Sequence, residues 1–270
     1  MKSCISRMGG KYYLAGWLSE MIPSHVLYCE PFCGASHLLF AKEPSPIEIL
    51  NDRADMLINL YKVIQDNKKR QELIRILNKT PYSRSIFNHF RKSAPQDDIE
   101  KAVRYFYLCK SSFAGDVERG GFACPSKGTG RNPAQTYQNS IDALEHIAKR
   151  LKGVTIECLD YADCIQRYDS PETLFYIDCP YYGHEHYYGD IFTENDHYTL
   201  SDILYSVKAK VMLSHYECDT YNRLYQDWNK FTYESFKGSH KSTGGEKPKT
   251  VEVLYCNFEK EQRGLFNEME

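Results

Sequence analysis

The stretch Leu174-Phe175-Tyr176-Ile177-Asp178-Cys179-Pro180-Tyr181-Tyr182-Gly183 decides how this chain is read. An apolar run of strand type ends abruptly in an acid, a proline and two aromatics. In an α/β sheet such a junction delivers side chains to the carboxyl edge, where ligand crevices form. The same residue types also make an ordinary turn after a strand, because aspartate and proline both favour turns. The surroundings must separate the two readings.

Composition sets the bounds. A chain of 270 residues fits one large domain, or one domain carrying an insertion. A net charge of −2 excludes a global basic field, so any nucleic-acid face must be a local patch. Ten cysteines at irregular spacings read as reduced thiols, not as a disulfide framework. Cys29 and Cys33 lack a matching second pair, so no structural metal is expected. There is no signal-peptide pattern and no apolar run of about 18 residues. The expectation is a soluble cytoplasmic protein with no membrane partner.

Upstream, Arg7-Met8-Gly9-Gly10-Lys11 precedes a helix expected from about Tyr12 to Met21. Two glycines beside a lysine allow the backbone to approach an anionic group closely. A strand, Val26–Cys29, then leads through Glu30-Pro31-Phe32-Cys33-Gly34-Ala35-Ser36 into a short helix ending near Phe40. Strand, glycine turn and helix make a nucleotide-cradling arrangement. Only one glycine is present, so the dinucleotide fingerprint is missing and a nicotinamide dehydrogenase is disfavoured. The next strand, Ile47–Leu50, ends in Asn51-Asp52. Asp52 stands 18 residues after Gly34, a place suited to bonding ribose hydroxyls. It is also a candidate cap for a helix from about Ala54 to Gln65.

These motifs in this order, Gly-Gly-Lys, Glu-Pro-Phe-x-Gly, Asn-Asp before a helix reading Leu57-Ile58-Asn59-Leu60-Tyr61, then Asp178-Cys179-Pro180-Tyr181, resemble the Dam-type DNA adenine-N6 methyltransferases. The resemblance covers essentially the whole chain. It implies a Rossmann-like α/β core, residues 1–61 and 154–270, that uses S-adenosylmethionine. It implies a mostly helical target-recognition insertion, residues 62–153, carrying a β-hairpin. Asp178, Cys179, Pro180 and Tyr181 would be the catalytic tetrad, equivalent to the family's Asp-Pro-Pro-Tyr. The Asp178 carboxylate and the Cys179 carbonyl would each accept one amine hydrogen and make the nitrogen nucleophilic. Tyr181 would stack on an extruded adenine. Pro180 would hold the segment rigid. Arg7, Lys11, Glu30, Phe32, Gly34, Asp52, Asp160, Tyr161 and Asp178 would bind the cofactor. Two departures stand out: Arg7 replaces an aromatic, and Cys179 replaces the first proline of the tetrad.

The middle of the chain fits the insertion. Apolar residues recur at helical spacing from Asn67 to Lys110. The pattern breaks at Ser111 and gives way to a glycine-rich stretch ending at Arg131. A β-hairpin with an exposed tip is expected there. Lys110, Arg119, Lys127 and Arg131 are its DNA-contact candidates; a solvated loop is the plainer alternative. The family's Arg-Tyr-Asn lead-in to this segment is missing, so a GATC target does not carry over. A helix from about Gln138 and a strand, Val154–Leu159, lead to Asp160-Tyr161-Ala162-Asp163, with Asp163 as a helix cap.

His184 and His186 suggest a metal, but no third ligand follows at a recognisable spacing, and methyl transfer from a sulfonium needs none. Thr193 and Asp196 are cap candidates for a helix running to about Val207. A final hairpin, Phe231–Phe236 and Val251–Phe258, brackets a loop, residues 237–249, with four lysines and one acid. That loop is a candidate for phosphate contact.

The partner implied is double-stranded DNA. A cognate restriction endonuclease and the oligomeric state are left open. The rival readings are an amino-methyltransferase acting on RNA or a protein glutamine, and a cofactor- and DNA-binding protein without catalysis.

Overall fold

The computed structural model describes residues 3, 5, 10–185, 192–236 and 249–260. Arg7, His186 and most of the lysine-rich loop, residues 237–248, lie outside the described residues. In chain order, the first elements are α1 (Ala15–Glu20), β1 (Leu27–Glu30), α2 (His37–Ala41), β2 (Ile47–Asn51) and α3 (Asp55–Gln65). Five helices follow: α4 (Asn67–Lys79), α5 (Arg84–Lys92), α6 (Asp98–Ser111), α7 (Pro133–Asp142) and α8 (Leu144–Leu151). Then come β3 (Val154–Glu157), α9 (Tyr161–Tyr168), β4 (Thr173–Ile177) and α10 (Glu194–Ser206). The last are β5 (Lys210–Tyr216), α11 (Asp219–Leu224), β6 (Asn229–Phe236) and β7 (Lys249–Cys256). The architecture is mixed α/β, as expected. The chain divides into two compact units.

The first unit comprises residues 1–16 and 32–161. Its strands β2 and β3 run parallel, with Leu50 opposite Ile156 and Asn51 opposite Glu157. A parallel pair needs a crossover, and here helices α3 to α8 supply it. Helix α3 buries Leu57, Ile58, Leu60, Tyr61, Val63 and Ile64. That is an apolar surface nearly all round, so α3 sits inside, against α4, α6, α8 and β3. Aspartate and asparagine start α4, α6 and α7. Asp66 accepts from Lys69 N–H, Asp97 from Ile99 and Glu100 N–H, and Asn132, ahead of Pro133, from Gln135 N–H.

A buried charge cluster ties this unit together. The Arg150 guanidinium makes a two-pronged contact with Glu48, and Lys42 Nζ donates to Glu48 Oε1 at 2.6 Å. Glu48 is 4% exposed. Burial alone would raise its pKa, but hydrogen bonds from Arg150, Lys42 and Ser45 N–H outweigh burial and hold it below the usual value. A carboxyl lowered by folding contributes stability above its unfolded pKa of about 4.3, and loses it as pH falls through the folded value. Glu48→Gln is therefore expected to lose about 1.5 kcal/mol at pH 7 and to show a shallower acid limb. Urea unfolding between pH 7 and pH 3 checks this; parallel acid limbs would overturn it.

The expected hairpin within residues 111–131 is reduced to two isolated antiparallel bridges, Ser112 with Phe122 and Ser126 with Arg131. Ala114 (φ 57°) and Gly115 (φ 72°) are successively left-handed, and Asp116 accepts from Glu118 and Arg119 N–H. The backbone curls too tightly for a ladder to propagate. A Cβ at Gly120 would collide with the carbonyl oxygens of Asp116 and Phe113. Arg91 clips the curl onto α5 by donating to the Gly120 and Glu118 carbonyls.

The second unit comprises residues 17–31 and 162–270. Its strands lie in the order β1-β4-β5-β7-β6. The pairs β1–β4 and β4–β5 are parallel, and β7 is antiparallel to both β5 and β6. Every residue of β4 is buried, the pattern of a strand covered on both faces. The carboxyl ends of β1, β4 and β5 therefore share one edge. The register of β7 brings Glu252 to that edge, opposite Tyr216. Thr193 and Asp196 cap α10 as expected, Asp196 accepting from Thr193 N–H at 2.6 Å. Asp163 differs: it sits in the first turn of α9, not ahead of it.

Candidate active site

At the carboxyl edge of the second unit, acids and hydroxyl groups meet. Tyr28 OH donates to Glu30 Oε1 at 2.7 Å. Ser214 Oγ donates to Asp178 Oδ1 at 3.3 Å, and Tyr176 OH lies 3.1 Å from the same Oγ. Tyr181 OH donates to Glu252 Oε2 at 2.9 Å. Burial first, and the Asp178 charge second, push the Tyr176 and Tyr181 phenols well above their usual pKa. Both stay protonated and act as donors.

The segment after Asp178 is held from several sides. The Tyr181 ring lies 4.5 Å from His215, tilted by 33°, and meets Tyr216 edge-on at 4.5 Å. It is only 7% exposed, so at most the face turned away from His215 remains for a base. Tyr182 N–H donates to His215 Nε2 at 2.8 Å, and His215 Nδ1 lies 2.6 Å from Tyr216 O. These partners fit one tautomer: Nδ1 carries the proton and Nε2 accepts. The turn closes at Gly183 (φ 78°), with His184 N–H donating to Tyr181 O.

The Cys179 thiol is 1% exposed. Its Sγ lies 3.4 Å from Tyr221 OH, which lies 2.6 Å from His197 Nδ1; His197 Nε2 lies 3.1 Å from Glu185 Oε1. Burial lowers the His197 pKa against the pull of Glu185, which favours neutral imidazole. The thiol is thus engaged with a buried polar chain that a proline at this position could not join. Among the described residues, no three histidine, cysteine, aspartate or glutamate side chains gather as a metal site requires.

The first unit holds the glycine turn. Gly34 is left-handed at φ 48°, with nothing within 4 Å of where a Cβ would stand. Asp52 spans the turn: Oδ2 accepts Gly34 N–H and Oδ1 accepts Ala54 N–H, each at 2.9 Å. The helix cap itself is Ala54, so Asp52 braces the turn and the helix start in place of capping it. Tyr61 OH donates to Gly34 O at 2.9 Å. The Asn51 amide bonds both N–H and C=O of Leu159, which ties the segment after β3 to the end of β2. Phe32 and Tyr161 stack at 5.2 Å. Asp160 sits 3.6 Å from Arg53 in an exposed pair of little energetic weight.

Lys11 is buried, and it and Lys110 flank His37, whose pKa falls to about 4 through burial and then through these two charges. Lys110 thus shares a neighbourhood with Lys11. Arg119, Lys127 and Arg131 are exposed. The sequence reading missed Ser214, His215 and Glu252. A strand ending Ser214-His215-Tyr216 and an acid inside the apolar run Val251–Leu254 were the available signals.

The turn and its neighbours fit a nucleoside. A carboxylate offers about four acceptor positions, and backbone N–H groups take two of Asp52's. Open space beside Gly34 and a stacked aromatic pair complete a site suited to a ribose and a base.

The family model of the D12 class N6 adenine-specific DNA methyltransferases matches residues 8–239. The chain is 25% identical over 267 residues to the type II methyltransferase M.CviBI of Paramecium bursaria Chlorella virus NC1A, covering 96% of this chain and 100% of that one. It is 24% identical over 266 residues to the retron Ec67 DNA adenine methylase of Escherichia coli, covering 94% and 90%. It is also 27% identical over 180 residues to the DNA adenine methylase of Escherichia coli strain K12, covering 64% and 62%.

Proposed function

The chain belongs to the D12 class N6 adenine-specific DNA methyltransferase family, and from that premise we propose that it methylates N6 of an adenine extruded from duplex DNA, with S-adenosylmethionine as donor. The observation that carries the reading is the Asp178–Tyr181 segment, held by Ser214, His215 and Glu252 at the end of a buried strand.

In the first unit, Asp52 would bind the ribose, and Phe32, Asp160 and Tyr161 the adenine of the donor. Gly34 would let the backbone approach. Arg7, Lys11 and Glu30 are assigned to the same molecule by motif order. When bound, the donor supplies an electrophilic methyl group on a sulfonium.

The remaining chemistry belongs to the chain. Asp178 and the Cys179 carbonyl accept the two amine hydrogens and draw the nitrogen lone pair out of the ring. Ser214 fixes the Asp178 carboxylate by bonding Oδ1. The proton shed by the amine is taken at the same carboxylate. Tyr181 would stack on the extruded base. Extrusion of the base costs a few kcal/mol of stacking and pairing.

Residues 62–153 would recognise DNA through the exposed Arg119, Lys127 and Arg131 and the half-buried Lys110. The proposed location is the cytoplasm, where a DNA substrate would meet the enzyme. Among the described residues, no helix is long and apolar enough to cross a membrane.

The test offers purified protein and labelled S-adenosylmethionine to duplex DNA, single-stranded DNA and RNA side by side. Label in duplex DNA, recovered as N6-methyladenine, is expected. Label confined to RNA, or no transfer at all, would overturn the proposal.

A further inference from the structure

We propose that Glu252, on β7, is a positioning residue that fixes the ring of Tyr181 and, through it, the orientation of the target base. The inference rests on the functional reading above and extends it to a strand 71 residues away from the motif.

Glu252 is an acid within an apolar strand, 7% exposed, and its Oε2 accepts from Tyr181 OH at 2.9 Å. Burying a carboxylate is costly unless hydrogen bonds meet it, so its retention in a core strand needs a use. The geometry supplies one. His215 lies against Tyr181 at 4.5 Å with the rings tilted by 33°, and Tyr216 meets it at 4.5 Å in a T-shaped contact, so both rings limit its tilt. Aromatic contacts are only weakly directional and do not by themselves fix the far end of the ring. The hydroxyl does, because it is bonded to a carboxylate that the β5–β7 register holds opposite Tyr216. His215 completes the hold by accepting Tyr182 N–H, immediately after the ring. Because burial keeps the phenol protonated, Tyr181 remains the donor and Glu252 the acceptor.

The experiment compares wild type, Glu252→Ala, Glu252→Gln, Tyr181→Phe and the Tyr181→Phe/Glu252→Ala double variant. kcat and KM are measured on a duplex bearing the mapped target adenine, and S-adenosylmethionine binding by calorimetry. Fluorescence of 2-aminopurine at the target position reports base stacking. Glu252→Ala is expected to lower kcat about 10-fold, with cofactor affinity within about twofold and altered 2-aminopurine emission. Glu252→Gln should recover most of the rate, since its amide oxygen accepts the same hydroxyl. Tyr181→Phe should match Glu252→Ala, and the double variant should be no worse than either. Multiplying losses, no recovery in Glu252→Gln, or a parallel fall in cofactor affinity would overturn the inference. If wild type itself transfers no methyl group to duplex DNA, the functional reading falls and this inference with it.

Discussion

Asp178→Ala is expected to lower methyl transfer by at least ~100-fold, and up to ~1,000-fold, while the protein stays folded. The expectation follows from where Asp178 stands. It is the first residue past β4, half-exposed, so its removal opens no cavity within the buried strand. Ser214 Oγ would lose an acceptor, but it keeps Tyr176 OH at 3.1 Å. The chemical loss is larger, because a single carboxylate both accepts an amine hydrogen and takes the proton released. Asp178→Asn sharpens the test. Its amide oxygen still satisfies Ser214, but its NH2 group faces the amine with hydrogens where an acceptor is needed. Both variants should keep wild-type urea midpoints and bind duplex DNA. Initial rates with a labelled methyl donor measure the loss, and near-normal turnover in either variant would remove Asp178 from the mechanism.

Asp52→Ala is expected to weaken S-adenosylmethionine binding by about 2–3 kcal/mol, or ~30- to 150-fold in Kd. Two effects add. The direct one is loss of a charged acceptor for the ribose. The indirect one is release of the glycine turn, since Asp52 holds Gly34 N–H and Ala54 N–H at the same time. Asp52→Asn should fall between, because its one carbonyl oxygen cannot serve both amides and its NH2 would face a donor. S-adenosylhomocysteine shares the ribose and adenine, so its affinity should drop in step with that of the donor. Calorimetry on both ligands decides the matter. An unchanged affinity would return Asp52 to a purely structural role.

Much of the fold was legible because its signals are local. Strand β4 reads as buried from the apolar run Leu174–Ile177 alone, and α3 reads as a core helix from its nearly continuous apolar surface. Boundaries shifted by a few residues: the first helix, expected from Tyr12, begins at Ala15, after a turn in which Leu14 N–H bonds Lys11 O. The segment within residues 111–131 departs from a regular hairpin for a physical reason. Glycine spacing signals a reversal, but Ala114 takes a left-handed conformation that composition does not announce, and the curl this produces has no ladder.

The sequence by itself determined an α/β chain with an acid at the end of a buried strand, a glycine turn before Asp52, and motif order enough to suggest the chemistry. These follow from side-chain periodicity and from backbone preferences of single residues, which act over a few positions. Which residues hold the motif in place emerges only from the folded chain. Ser214 reaches Asp178 across 36 residues, His215 reaches Tyr182 across 33, and Glu252 reaches Tyr181 across 71. It likewise turned the Cys179 thiol to Tyr221 and set Phe32 against Tyr161. Ser214, His215 and Glu252 lie on β5 and β7, and a slip of one residue in either strand would turn them to the opposite face of the sheet. Register is a property of the assembled sheet, fixed by burial on both faces at once, and no spacing along the chain encodes it.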